Sequence, residues 1–103
     1  MYYVYILYSP GSDRYYVGYT DNPELRLIRH NTCYYGSYTH KHKPWEMKGV
    51  FEVGGSKSEA IKIERYIKRQ KSRQFMEGLI KTGDLSGIRS RIFREERDTG
   101  AVG

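Results

Sequence analysis

Glu64 is the residue least at home in a purely structural account of this sequence. Around it, Ala60, Ile63 and Ile67 repeat at i, i+3 and i+7 and mark the packing stripe of a helix, and Glu64 is the i+4 member of that stripe. A carboxylate on a packing face is costly unless it is paired or binds a metal. Both a metal ligand and a pair with Arg26 are open. Arg26 and His30 stand four apart, so on a helix they share one face, where a guanidinium suits phosphate oxygens. Tyr16 and Gly18 lie in one short β-branched and aromatic run, and Tyr5 lies in another. A glycine inside a strand marks a bulge or a close backbone approach, so phenols can converge beside Gly18. His40-Lys41-His42 has a spacing that can hold a metal, but in a Lys-rich loop with no third ligand a phosphate-facing or solvated role is favoured. Cys33, the single cysteine, has nothing in sequence to activate it and reads as a bystander.

These residues need elements to position them. Tyr2 to Tyr8 and Tyr15 to Tyr19 read as strands of a hairpin, separated by the turn formers Ser9-Pro10-Gly11-Ser12-Asp13. Asn22 is the expected cap of a helix that has Pro23 first, Leu25 and Ile28 as its apolar stripe and Asn31 as its stop. Residues 32–44 read as a polar loop, and Trp45 to Val53 as a third strand. Ser56 and Glu59 fit a capping box that opens the helix bearing Glu64, which runs to about Lys71. Ser72 starts a further helix with Phe75, Met76, Leu79 and Ile80 inward and Gly83 as terminator. The order is β-β-α-β-α-α, an α+β domain with a small three-stranded mixed or antiparallel sheet flanked by helices. It covers residues 1–83, and residues 84–103 form a charged tail, partly helical or disordered.

A chain of 103 residues is one domain with a modest core, too small for a bulky buried cofactor. One cysteine excludes a disulfide framework and a multi-cysteine zinc site. No apolar run approaches the roughly 18 residues that span a membrane, and the start does not read as a signal peptide, so a cytoplasmic protein is expected. The net charge is +6, and residues 56–81 hold eight Lys and Arg against three Glu. A basic segment of this kind favours a polyanionic partner.

Taken in order, the motifs resemble the GIY-YIG nuclease superfamily, in particular its small stand-alone bacterial branch. Tyr3-Val4-Tyr5 stands at the first element, with Tyr3 in place of Gly, and Tyr16-Val17-Gly18 at the second, with Val for Ile. Tyr19-Thr20-Asp21-Asn22, Leu25-Arg26-Leu27, His30-Asn31, Tyr38-Thr39, Pro44-Trp45, Ser58-Glu59-Ala60 through Glu64 and Ile67-Lys68 to Leu79-Ile80 follow in the expected order, so the likeness covers about residues 2–81. The resemblance implies phosphodiester hydrolysis with one divalent metal, Mg²⁺ or Mn²⁺. Tyr16 would be the general base, Tyr5 a supporting phenol, Arg26 the phosphate-binding cation, His30 an assisting group and Glu64 the metal ligand.

A free phenol titrates near about 10, so a tyrosine base needs cations beside it. A hard cation often takes only one or two carboxylates, so a lone glutamate is sufficient. The substrate implied is nucleic acid, with DNA favoured. Contacts to it are expected from Lys68, Arg69, Lys71 and Arg73 and from the loop His40, Lys41, His42 and Lys43, giving salt-dependent binding with little sequence information. With so little sequence information in these contacts, a separate protein is a candidate for targeting. The competing reading is a non-catalytic nucleic-acid-binding module that stacks bases on Tyr15, Tyr34, Tyr35 and Trp45.

Overall fold

Tyr2–Ser9 forms β1, and its inner four residues, Val4, Tyr5, Ile6 and Leu7, have no exposed surface. A strand covered on both faces reads as a continuous apolar run, which is what this segment carries. β1 is the middle strand. Arg14–Thr20 (β2) and Glu46–Gly54 (β3) flank it in the order β2-β1-β3, both antiparallel to it. The structure, a computed structural model, describes residues 1–32 and 38–102. Cys33, Tyr34 and Tyr35 lie outside the described residues.

The pleat sorts β1 into two faces. Val4 and Ile6 join the main core with Val17, Phe51, Val53, Ala60, Ile63 and Ile67. Tyr5 and Leu7 face the other way, with Trp45 and the partly buried Tyr16, Leu27 and Met47. Among the described residues five helices accompany the sheet: α1 (Pro23–Thr32), α2 (Tyr38–Lys41), α3 (Lys57–Gln70), α4 (Arg73–Thr82) and α5 (Ser86–Val102). Phe75, Met76, Leu79 and Ile80 pack inward as their spacing predicts.

The caps follow the sequence. Leu25 N–H donates to the Asn22 side chain, Glu59 N–H to Ser56 and Phe75 N–H to Ser72. Gly83 ends α4 at φ 66°, in the left-handed region that suits glycine. The capping box at Ser56 is half built, because the Glu59 carboxylate turns outward to Arg89 of α5 at 2.7 Å.

Two expectations need correction. Among the described residues of 32–44, Tyr38–Lys41 form a helical turn, α2, held by tertiary contacts: Thr39 is buried and its carbonyl accepts from Trp45 Nε1 at 2.8 Å. The stripe of α1 does not face the protein, since Leu25 and Ile28 are 42% and 57% exposed. Its inward side carries Leu27, Arg26 and the buried His30 instead. After Asp84 the chain continues into the 17-residue α5, and Leu85 and Ile88 belong to the core. Among the described residues no helix is long and apolar enough to cross a membrane.

Candidate active site

The hairpin register sets Gly18 opposite Tyr5 and Tyr16 opposite Leu7, so all four positions belong to the same face of the sheet. Tyr5 uses the space that Gly18 leaves. A Cβ on Gly18 would strike the Tyr5 hydroxyl and meet Cζ at 2.5 Å. Gly18 therefore serves a close approach rather than a bulge. Its bare backbone lets a fully buried phenol extend across edge strand β2, where its hydroxyl meets two groups of α1.

Those groups are His30, with Nε2 2.9 Å from Tyr5 Oη, and Arg26, whose Nε donates to the same oxygen at 3.3 Å. Because Arg26 can only donate, the phenolic proton is free for His30 Nε2, which fits a neutral imidazole. Electrostatics act in the same direction. Burial, opposed by the Arg26 hydrogen bond, pushes the Tyr5 phenol up to about 12. Burial and the neighbouring guanidinium hold His30 down at about 4. The pair is thus neutral at pH 7. Arg26 itself is held above its ordinary value, mainly through its hydrogen bond with Tyr5.

Tyr16 lies over this pair. Its ring centroid is 5.0 Å from that of His30, edge on, and 6.4 Å from that of Tyr5. Lys68 Nζ stands 5.8 Å above the Tyr16 ring and pairs with Glu64 Oε1 at 2.5 Å. Glu64, with 12% of its side chain exposed, keeps company with Lys68, and the alternative of an Arg26 pair is set aside. Lys57, Glu64 and Lys68 fall at i, i+7 and i+11 along α3 and so share its flank.

Tyr5, Tyr16, Arg26 and Glu64 line one cavity of about 510 Å³. Arg29 and Lys57 line it too, and sequence reading did not single them out. A signal was present in their spacing, since Arg29 is three residues from Arg26 and Lys57 seven from Glu64. The fit for a divalent cation rests on the Glu64 carboxylate, which already holds a positive group in the form of the Lys68 ammonium. Among the described residues no three His, Cys, Asp or Glu cluster as a ready-made metal cage. A hard cation that keeps waters and takes one carboxylate plus substrate phosphate suits such a site.

The remaining basic residues lie elsewhere. Arg69 pairs with Glu95 of α5 at 3.4 Å and covers the Tyr66 ring. Arg73 is tied to the β1–β2 turn through the Asp13 side chain at 2.8 Å and the Asp13 carbonyl at 2.6 Å. Lys71 is exposed at the left-handed cap of α3. Neither His40 and Lys41 of α2 nor His42 and Lys43 after it line the cavity. His42 instead contacts Ser12 at 2.9 Å, and its carbonyl accepts from Ser9. Trp45 is 2% exposed, so its ring is not available to stack on a base, and Tyr15 lies under the Arg73 guanidinium with its hydroxyl toward Glu77.

Comparison with known proteins bears on the same region. The sequence model of the GIY-YIG catalytic domain matches residues 1–77, a span that holds every cavity residue named above. No curated protein and no solved structure matches the chain.

Proposed function

The chain belongs to the GIY-YIG family, whose domains are of the nucleic-acid-cleaving type, and we propose that it is a metal-dependent endonuclease that hydrolyses phosphodiester bonds, with DNA as substrate. The observation that supports this most is the convergence of Tyr16, Arg26 and Glu64, from β2, α1 and α3, on one cavity. Glu64 is the residue that would hold the divalent cation, which when bound supplies Lewis-acid stabilisation at the phosphate.

The division of labour among the other side chains follows from their surroundings. Tyr5 is fully buried and its phenol is pushed up to about 12, which leaves it a poor base at neutral pH. Its work is to donate to His30 and to orient Arg26. Tyr16 lines the cavity with the Lys68 ammonium above its ring. As the phenolate, its oxygen takes the proton of the attacking water while a bond forms from that water to phosphorus and the opposite P–O bond breaks, the leaving oxygen taking a proton from solvent. Arg26 holds phosphate charge through a planar guanidinium already set by Tyr5. His30 stays neutral at pH 7 and acts as a positioning residue for Tyr5.

The reading is tested by nicking of supercoiled plasmid at low salt in Mg²⁺, Mn²⁺ or EDTA. Nicking that requires the metal and falls about 100-fold or more in Tyr16→Phe supports it. Nicking that survives EDTA, or that Tyr16→Phe leaves unchanged, overturns it.

A further inference from the structure

Of the cations at the cavity, Arg26 is engaged with Tyr5, and beside it Lys68 is engaged with Glu64; farther off, Arg69 is paired with Glu95 and Arg73 with Asp13. Arg29 and Lys57 differ. Both line the cavity, both are exposed, and among the described residues neither side chain has a hydrogen bond or ion pair. Arg29 stands one turn beyond Arg26, about 4.5 Å further along α1. Lys57 stands seven residues before Glu64, about 10.5 Å back along α3. Along α3, Lys57 thus lies on the other side of Glu64 from Lys68, and Arg29 lines the same cavity from α1. The carboxylates of the same lining are Asp21 and Glu64, against the cations Arg26, Arg29 and Lys57, so the lining is net positive before any metal binds. Unpaired cations in a concave wall concentrate the field on an incoming anion.

We propose that Arg29 and Lys57 form a second phosphate subsite, which binds a backbone phosphate neighbouring the one at Arg26. The nucleic-acid strand then crosses the cavity between α1 and the first turn of α3. This rests on the nuclease reading above and deepens it. The binding face is the cavity rim, and Arg69 and Arg73, held by α5 and by the β1–β2 turn, lie outside it.

The test is fluorescence anisotropy of a labelled DNA oligonucleotide, single- and double-stranded, titrated with the full chain in EDTA over a range of salt. Each backbone phosphate contact contributes about 0.7 to 0.9 to the slope of log K against log salt. Arg29→Ala and Lys57→Ala should each flatten the slope by about that amount and weaken binding at low salt. The double variant should show about twice the effect. Lys81→Ala, an exposed cation on α4 away from the cavity, should match wild type. If Arg29→Ala and Lys57→Ala behave like Lys81→Ala while wild type still nicks DNA, the subsite is refuted and the nuclease reading stands. If wild type neither binds nor nicks at low salt, both fall together.

Discussion

At the scale of single residues, a buried hydrogen bond between two neutral groups holds the phenol and the imidazole of the site together. Tyr5 and His30 are both removed from water, and a proton on His30 would bring a second positive charge beside Arg26. This makes stability depend on pH in a definite sense. His30 titrates near 6.5 when unfolded and at about 4 when folded, so below pH 6.5 the unfolded chain takes up the proton first. The contribution is constant above about pH 6.5 and is lost as pH falls toward 4, amounting to roughly 2 to 3 kcal/mol by pH 4.5. Urea unfolding of wild type and His30→Gln at pH 7 and pH 4.5 measures it. Wild type should lose more stability than the variant by about that margin; equal losses would mean that His30 is protonated in the folded chain. From sequence, His30 could only be placed on one face with Arg26. Its burial was hidden because Leu25 and Ile28 looked like the inward stripe, yet the second core is small and takes Leu27 together with polar groups.

At the scale of elements, strands, caps and the two inward-facing helices α3 and α4 were legible because their signals are local. A turn-former cluster, an Asn or Ser before a helix and a glycine after it act within a few residues of themselves. Glu64 was legible for the same reason, as a charge that breaks an apolar repeat. The sequence left the partner of Glu64 open between a metal and Arg26, while the pair formed is with Lys68, four residues on along the same helix, a local i, i+4 signal that the reading passed over. The short α2 was illegible, since what holds it is a hydrogen bond from Trp45 and the burial of Thr39. Gly18 joins the two kinds of signal. The sequence marks it as odd for a strand, and the register supplies the reason, a phenol lying across it. Gly18→Ala should therefore cost about 1 to 3 kcal/mol by overpacking. It should also reduce nicking at least tenfold under conditions where the variant remains folded, because Tyr5 must leave Arg26 and His30. Near-wild-type nicking by a folded Gly18→Ala would show that the Tyr5 position is not needed.

At the scale of the whole molecule, the C-terminal segment is part of how the domain holds together. Leu85 and Ile88 are 6% and 4% exposed, and Arg89 reaches back to Glu59 and to the Val53 carbonyl at 2.9 Å. The sequence showed a neutral tail with a few apolar residues between arginines, and no local signal says whether such a segment docks. Ile88→Ala should lower unfolding stability by about 2 to 4 kcal/mol, as for a buried aliphatic side chain. A loss below about 0.5 kcal/mol, the level of an ordinary surface substitution, would make α5 an appendage. Net charge was readable from composition, but its use was not. Arg69 and Arg73 are spent on holding α5 and the β1–β2 turn, while Arg29 and Lys57 face the cavity.

The central claim is that this cavity cleaves nucleic acid through a cation held at Glu64. Its most direct test is the plasmid-nicking rate of Glu64→Gln against wild type in saturating Mg²⁺, with matched circular dichroism to establish equal folding. Gln keeps the shape of the side chain and removes the charge. The account predicts a fall of about 100-fold or more, equivalent to losing several kcal/mol of transition-state stabilisation. Nicking by Glu64→Gln at the wild-type rate would contradict it.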